Sequence, residues 1–432
     1  MTMFSIAERG SSIRAEIVGG ATTFVSMAYI IVVNPAILSF AGIPSGPSTV
    51  ATILTAAFGT LLMGLYANRP IAVAPYMGEN AFIAFGLAAF GITWQQRLGA
   101  VFISGVVFLI ITLIGVRTWL AESVSTSMKH SFAAGIGLFL TFIGLVETGI
   151  VAPSKAVPVQ IGDVRSAPVL LAIFGFVITA AMLYKRVRGA ILIGMALTAA
   201  GGYLLGVGSA PHGVIAMPYD LSPIALKLDI AGVLRLSFLP ILLTLFLMSL
   251  LDTLGTLVGV GAASGMLDER GNFPQIERPM FVDALSCVFS GLIGTSTSGA
   301  YIESSTGIRE GARTGLASVV TAGLFLLSLF FIPLFEPLQS LRYAYAPPLL
   351  VVGMLMLSSI AKIDFDDFTE LVPAFATIVV MVFTYNIANG LTAGLLLYPI
   401  MKLLAGRVRE LRAGTIVLAI LCAVYFVFGL PH

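Results

Sequence analysis

Charged side chains are scarce in this sequence. Only 10% of its 432 residues are charged and 58% are hydrophobic, whereas soluble domains carry about 25% charged residues. A soluble chain of this length still leaves much of its surface in water, and this composition could not cover that surface with polar groups. The apolar residues come in blocks of about twenty, the length that crosses a hydrocarbon layer. The shortage of charge therefore excludes a soluble catalytic domain and predicts an integral membrane protein.

Cysteine and histidine are equally rare. The two cysteines, Cys287 and Cys422, lie in apolar stretches, which indicates free thiols rather than a disulfide framework. The three histidines, His130, His212 and His432, fall at block ends or in loops, so carboxylates are the candidate proton carriers inside the membrane. A net charge of +2 without a basic, aromatic patch predicts no nucleic-acid partner. No metal site, cofactor or catalytic residue is predicted.

The apolar blocks divide into seven and seven on either side of a polar stretch that contains Pro211, Pro218 and Pro223. We predict an all-α polytopic fold of about fourteen transmembrane segments, with one more apolar stretch at 415–430 as an extra span or a re-entrant segment. The fourteen blocks are 15–39, 48–67, 71–88, 98–116, 131–150, 168–184, 189–207, 236–264, 279–294, 295–308, 314–335, 346–360, 371–388 and 391–404.

Two halves with an odd number of spans have opposite orientations in the membrane, so the repeats are predicted to be inverted. We expect a first repeat at 1–207, an extracytoplasmic connection at 208–233, a second repeat at 234–405 and a tail at 406–432. Lys and Arg are retained on the cytoplasmic side. With the N-terminus inside, most of the 23 basic residues fall on that side. The pattern predicts a cell-membrane protein with a cytoplasmic N-terminus.

The third and tenth blocks are interrupted at matched positions. Pro75 lies early in the third block, and a Gly/Ser/Thr run from Gly294 to Gly299 opens the tenth. Proline removes a backbone donor, and irregular backbone at this depth survives only in protein or beside a cavity. In transporters built from inverted repeats, such interrupted segments surround the substrate site. We predict an extended stretch followed by a half-helix in each block; a polar turn at the membrane edge is the alternative for either one.

Four acids lie inside the blocks and away from their ends: Glu79, Asp252, Asp283 and Glu303, with no Lys or Arg comparably deep. An unpaired carboxylate in hydrocarbon is costly, so each is expected to face the bundle interior or a cavity. Such acids can bind a proton, a cation or the donors of a polar ligand. Asp283 follows a proline, and we interpret it as a brace for the neighbouring broken segment.

Asp252 begins a small, polar helical face. Asp252, Gly255, Thr256 and Gly259 are spaced i, i+3, i+4 and i+7. The glycines of this face are also typical of a close helix–helix seam. A comparable face in the first block is compatible with either packing or function; it consists of Thr22, Ser26 and Tyr29.

These residues resemble the nucleobase–cation symporter-2 family, which has the nucleobase–ascorbate transporter fold, and in particular its AzgA-like hypoxanthine–guanine–adenine permease branch. The resemblance covers nearly the whole chain. Its most specific parts are Thr22 to Pro35, Asp252 to Asp268, Gly294 to Gly315, Pro373 to Phe375 and Thr384 to Ala388.

The resemblance implies a core domain of spans one to four and eight to eleven, a gate domain of the other spans, an elevator-like motion and often a homodimer in the lipid membrane. Carried over by position, it implies substrate contacts at Asn80, Asp252, Thr256, Tyr301, Ile302 and Glu303. Glu79 departs from the family pattern, in which an apolar residue follows Met77 and Gly78. We expect this extra carboxylate to belong to the substrate site, with consequences for the substrate or the coupling stoichiometry.

The predicted function is proton-coupled uptake of purine nucleobases, namely hypoxanthine, guanine and adenine. Asp252 is the expected proton carrier, Glu303 is the alternative, and Na+ is the alternative coupling ion. Xanthine and uracil are alternative substrates. A transporter of anions with the same fold is a further alternative, although an anion site would favour neutral or basic residues at the position of Glu303. An intramembrane aspartyl protease would need a catalytic motif that the residues around Asp252 do not supply, and no filter motif indicates a channel.

Overall fold

A computed structural model of the chain describes residues 4–116, 119–120, 123–208, 211, 213–264, 266 and 273–428. His212, His432 and most of the stretch from 265 to 272, which includes Asp268, lie outside these residues. The described helices are α1 Ile13–Met27, α2 Ile30–Ser39, α3 Ser45–Leu65, α4 Met77–Ala81, α5 Trp94–Leu113, α6 Thr126–Glu147, α7 Ala167–Tyr184, α8 Ala190–Leu204, α9 Ile230–Val233, α10 Leu239–Ser264, α11 Glu277–Ile293, α12 Ser304–Arg309, α13 Gly315–Ser328, α14 Ile332–Ser340, α15 Arg342–Tyr345, α16 Pro347–Leu357, α17 Phe368–Phe383, α18 Ile387–Leu404 and α19 Ala413–Phe428. The strands are β1 Val73–Pro75, β2 Val151–Pro153, β3 Val159–Ile161 and β4 Ser298–Ala300.

Within the described residues, nine helices or helix pairs are long and apolar enough to cross a membrane. Three shorter apolar helices accompany them, at Ala190–Leu204, Phe368–Phe383 and Ala413–Val424. The predicted all-α, multi-pass fold is confirmed, apart from two short antiparallel strand pairs. The count of fourteen spans, the repeat boundaries and a crossing by the last helix stay predictions.

The broken third and tenth segments are confirmed, and the structure pairs them with each other. Strand β1 is antiparallel to β4, with Ala74 opposite Gly299. A π-helical turn, Phe82–Gly86, extends the half-helix α4 that follows β1, and the half-helix α12 follows β4. Pro75, which has no N–H, is placed opposite Ser298 at the end of the pair. Each interrupted segment therefore satisfies backbone groups of the other in the middle of the protein.

The first span is also interrupted, between α1 and α2. Pro35 lies inside α2, and a proline leaves the carbonyl one turn earlier without its helical donor. The side-chain amide of Gln339 takes that place, with its Nε2 3.3 Å from the Ile31 carbonyl and 2.8 Å from the Thr49 hydroxyl. The carbonyl that Pro35 leaves free is thus paired by a side chain from a distant part of the chain.

Helix packing surrounds the strand pair on several sides. Helix α3 packs against α13 and α11, α1 packs against α13, and α11 packs against α5. A second group of helices, α6, α16, α17 and α18, packs together beside them. Helices α2 and α10 belong to the first group, since α2 packs against α3 and α10 against α5. Half-helix α4 touches both groups, because it contacts α2 and α10 of the first and α6 of the second.

Two basic side chains are more deeply buried than the sequence predicted. Arg97 is 6% exposed and donates to the carbonyls of Ile83 at 2.6 Å and Ala84 at 3.1 Å, next to the π-helical turn. Lys402 is 1% exposed, and its Nζ lies 3.0 Å from Glu370 and 2.8 Å from Glu410. Both residues lie in a terminal turn of their helices and pair their charge locally with carbonyl or carboxylate oxygens. The expectation of no Lys or Arg deep within the spans stays a prediction.

Candidate functional site

Two tyrosines follow directly after the paired strands, one at each end of the pair, and are related by its symmetry. The Tyr76 N–H donates to the Thr297 carbonyl and the Tyr301 N–H donates to the Ala72 carbonyl, each at 2.9 Å. Their rings stack with centroids 6.4 Å apart and an angle of 8° between the planes. The Tyr301 hydroxyl donates to the Pro75 carbonyl, and the Tyr76 hydroxyl lies 3.0 Å from that of Thr253. Tyr301, a predicted substrate contact, is 5% exposed. In this conformation its hydrogen bond to Pro75 holds the two broken segments together.

The predicted polar face of α10 opens towards the start of α12. Asp252 and Thr256 are half-buried and Gly255 is exposed, although all three lie within an apolar helix. Nothing lies within 4 Å of the position that a Cβ of Gly255 would occupy, whereas at Gly259 the Ile302 side chain is 3.2 Å away. The Thr256 hydroxyl is hydrogen-bonded to the Asp252 carboxylate. We call this exposed surface beside Asp252, Gly255 and Ile302 the crevice.

Glu303 lies just before α12, next to the crevice. It is half-buried, and Ile302 beside it is 50% exposed. The Tyr29 hydroxyl, at the break in the first span, donates to Glu303 Oε1 at 2.7 Å. Ser26 is one turn earlier, and its hydroxyl lies 3.1 Å from that of Thr306. The first-span face, for which the sequence left packing and function open, therefore contacts the tenth segment.

Asn80 takes part in a buried hydrogen-bond network, in which its own Oδ1 has no partner among the described residues. It is fully buried, and its Nδ2 donates to Asn34 Oδ1 at 2.9 Å. Asn34 in turn donates to Thr52 at 2.8 Å and to Thr295 at 2.9 Å. The network ties the third segment to the first, second and tenth. In this conformation Asn80 is thus placed behind the crevice, and its role as a substrate contact stays a prediction.

The four acids have different surroundings. Asp283 accepts a hydrogen bond from the Ala300 N–H at 3.4 Å, in keeping with its predicted bracing role. Asp252 and Glu303 each have a hydroxyl partner, as described above. Glu79 is fully buried, and neither of its carboxyl oxygens has a hydrogen-bond partner among the described residues. None of the ion pairs between described residues includes Glu79, Asp252 or Glu303.

Two residues outside the predicted contact set also belong to this site. Tyr29 holds Glu303, and Tyr76 is the symmetry partner of Tyr301. A signal for Tyr76 was present in the sequence, because each broken block has a tyrosine directly after its short extended stretch. Tyr29 lay on the polar face of the first block, yet only the tertiary structure brings it to the tenth segment.

A cavity of about 360 Å³ lies away from these acids, between α6, α7 and α16. Its lining is apolar except for Thr141 and includes Leu138, Phe176 and Met354. It has too few polar groups to orient a polar ligand, so the crevice is the better candidate for the site.

The profile described as the Permease family, a family of nucleobase–cation symporter-2 proteins, matches residues 14–392 of this chain. The chain belongs to this family. It is therefore a transporter and not an enzyme. The adenine permease AdeP of Escherichia coli is 39% identical to this permease over 431 residues, covering 100% of the chain and 96% of AdeP. The guanine/hypoxanthine permease PbuG of Bacillus subtilis is 39% identical over 439 residues, covering 99% of each.

Solved structures resemble the permease in fold alone. The transmembrane domain of a cyanobacterial bicarbonate transporter, BicA, aligns with a TM-score of 0.64 at 17% identity, covering 88% of this chain and 97% of that domain. The murine anion transporter Slc26a9 in its inward-facing state aligns with a TM-score of 0.63 at 10% identity, covering 93% of this chain and 71% of Slc26a9. These likenesses agree with the predicted transporter fold and carry no information about the substrate.

Proposed function

We propose that this permease takes up purine nucleobases (hypoxanthine, guanine or adenine) across the cell membrane by proton-coupled symport. The observation that carries the proposal is the crevice, where Asp252 and Glu303 offer two half-buried carboxylates without a basic partner beside the open face at Gly255. A purine presents N–H donors and acceptors along a flat edge, and a carboxylate can accept two of those N–H groups. Unpaired polar groups in a buried site are costly, so such a site discriminates against ligands that lack the matching donors.

The relatives support this substrate class. AdeP is an adenine permease and PbuG a guanine/hypoxanthine permease, and each matches this chain over nearly its whole length. Xanthine, uracil and inorganic anions are the alternative substrates. The acid at position 303 argues against an anion, because a carboxylate beside the ligand would repel it.

The transport cycle is proposed to be an elevator motion of a core domain against a gate domain. Spans one to four and eight to eleven would form the core, and the remaining spans the gate. The contacts of half-helix α4 with helices of both groups support a site at their boundary. The proposal also includes inverted repeats at 1–207 and 234–405, a cytoplasmic N-terminus and a homodimer.

A proton held by a carboxylate of the site would provide the coupling. Asp252 and Glu303 are the candidates that border the crevice, and each is reached by a neutral hydroxyl donor. Na+ is the alternative coupling ion. Substrate affinity must depend on pH if proton and purine binding are coupled.

Uptake of radiolabelled nucleobases tests the proposal. The permease would be expressed in cells that lack their own purine permeases, and the substrates would be adenine, guanine, hypoxanthine, xanthine and uracil. We expect accumulation of at least one purine, competition by other purines ahead of uracil, and loss of accumulation on addition of a proton uncoupler. Competition by uracil or sulfate but not by purines would contradict the substrate class. Accumulation driven by a Na+ gradient would show that Na+, and not the proton, is the coupling ion.

A further inference from the structure

Glu79 differs from the other acids of the site in having no donor. The carboxylates of Asp252 and Glu303 are half-buried and each accepts a hydrogen bond from a hydroxyl group. The Glu79 side chain has no exposed surface, and both of its oxygens lack a hydrogen-bond partner among the described residues. The Glu79 carboxyl group is therefore enclosed by protein in this conformation.

Such surroundings favour a neutral carboxylic acid. A buried charge without a partner costs several kcal/mol, which is more than the roughly 1–3 kcal/mol for an unpaired neutral polar group. A carboxylate is stabilised when hydrogen bonds reach it and destabilised when another carboxylate is near. No other residue among those described donates a hydrogen bond to the Glu79 carboxyl group, and Asp252 is the acidic neighbour that acts on it.

None of the ion pairs between described residues includes Glu79, and the nearby Arg97 guanidinium is bound to the carbonyls of Ile83 and Ala84 in the π-helical turn. Half-helix α4 packs against α2, α6, α10 and the π-helical turn, and neither α2 nor that turn contains an ionisable residue. The ionisable residues of α6 lie near its two ends, whereas α6 meets α4 in its middle, where Ile136 packs on Gly78. Helix α10 contributes Asp252, and the phenol groups near Glu79 are those of Tyr76 and Tyr301.

We infer that Glu79 is a proton-binding site of this permease, and that in the present conformation the Glu79 and Asp252 pair shares a single proton that resides on Glu79. Asp252 then remains the carboxylate that faces the crevice and receives the ligand. The assignment of the proton to transport rests on the proposed function. The inference assigns a role to Glu79, the acid that departs from the family pattern. It places the coupling proton on the Glu79 and Asp252 pair instead of on Asp252 alone.

Direct release of the proton from Glu79 to solvent requires water to reach this enclosed carboxyl group. If α4 shifts relative to α6 during transport, the O–H bond of the Glu79 carboxyl group breaks and the proton passes to a water molecule. The products are a Glu79 carboxylate and a hydronium ion on the side where the site has opened. Purine binding, which draws on the negative charge of Asp252, and proton loading of Glu79 are thereby linked through one pair of acids.

Infrared spectroscopy of the purified permease in lipid bilayers tests the protonation state directly and needs no substrate. A protonated carboxylic acid has a C=O band that shifts when the protein is moved from H2O to D2O. At neutral pH we expect this band in the wild type, its loss in Glu79→Gln and Glu79→Leu, and its retention in Asp252→Asn. Glu336→Gln, a change at an exposed glutamate, is the matched control and should retain the band.

Two infrared results would overturn the inference. A band that persists in both Glu79 variants but disappears in Asp252→Asn would assign the proton to Asp252. Absence of the band from the wild type would show that neither acid is protonated. The two Glu79 variants serve as mutual checks, because one keeps the shape and polarity of the acid and the other is apolar, so a folding defect of one does not remove the test.

Proteoliposomes test the role in coupling. Glu79→Gln mimics the permanently protonated acid, so we expect the loss of uphill accumulation driven by a pH gradient and a purine affinity that no longer varies with pH. Uphill accumulation at the wild-type level in this variant would overturn the coupling role. If the wild type transports no purine while the band behaves as expected, the proposed function fails and the proton site on Glu79 stands.

Discussion

At the scale of the residue, the chemistry of each acid is set by its burial and by the groups that donate hydrogen bonds to it. Glu303 accepts the Tyr29 hydroxyl at 2.7 Å and remains half-buried. Asp252 is held by Thr256, one turn along the same helix. Glu79 is fully buried with no such donor. Three carboxyl groups of the same type are therefore suited to different tasks, two at the crevice and one behind it.

Glu303→Gln is expected to weaken purine binding without reducing expression. The amide replaces an oxygen acceptor with a donor, which would meet a purine N–H group. Loss of a charge-assisted hydrogen bond costs roughly 1.5–3 kcal/mol, which is about a ten- to hundredfold loss of affinity. Equilibrium binding to the purified variant, with Glu336→Gln as control, measures the effect. Wild-type affinity would remove Glu303 from the substrate site.

At the scale of the element, the strand pair depends on a glycine at its centre. A Cβ on Gly299 would collide with the Tyr76 hydroxyl group, so Gly299→Ala must displace Tyr76 or separate β1 from β4. Overpacking of this kind typically costs about 1–3 kcal/mol. We expect a melting temperature several degrees lower and weaker purine binding. Gly323→Ala, where nothing lies within 4 Å of the added carbon, is the control, and equal melting temperatures for the two variants would contradict the packing argument.

The first span is fastened to the start of α13 by a carboxylate. Glu16 is fully buried, and its oxygens accept the N–H groups of Arg313 at 2.8 Å, Thr314 at 3.1 Å and Ala317 at 3.2 Å. A negative charge at a helix N-terminus is favourable. Glu16→Gln removes the charge and turns an amide N–H towards backbone donors, so we expect a loss of about 1–3 kcal/mol.

Thermal unfolding of the detergent-solubilised protein measures the effect of the Glu16 change. Glu310→Gln is the control, because it removes an ion pair with Arg188 whose partners are 59% and 27% exposed, and surface pairs contribute at most about 1 kcal/mol. A Glu16 variant as stable as the control would show that the carboxylate is not needed to join α1 to α13.

At the scale of the whole molecule, orientation can be measured without removing the native cysteines. Cys287 and Cys422 are both buried, so an introduced cysteine will dominate labelling by a membrane-impermeant maleimide. We expect Gln160→Cys, in the exposed strand β3, to be labelled in intact cells. Val187→Cys, in the exposed turn between α7 and α8, should be labelled only after permeabilisation. The reverse pattern would place the N-terminus outside.

The sequence by itself determined the class and the broad layout of this permease. A shortage of charge and blocks of about twenty apolar residues leave only a membrane-spanning fold, since water would otherwise face hydrocarbon side chains. Pro75 and the Gly294 to Gly299 run marked the two broken segments, because proline lacks a backbone donor and glycine favours irregular backbone. The motif at Asp252 and the stretch around Glu303 indicated the family.

Only the tertiary structure decided which of these residues meet. The antiparallel pairing of β1 with β4, the Tyr29 contact with Glu303 and the Gln339 contact with the Ile31 carbonyl each join residues more than two hundred positions apart in the chain. The same holds for burial: Asn80 and Glu79 are enclosed, whereas Asp252 and Glu303 border the crevice. Local sequence patterns record spacing along one helix, but exposure and hydrogen bonding depend on which other helices pack against it.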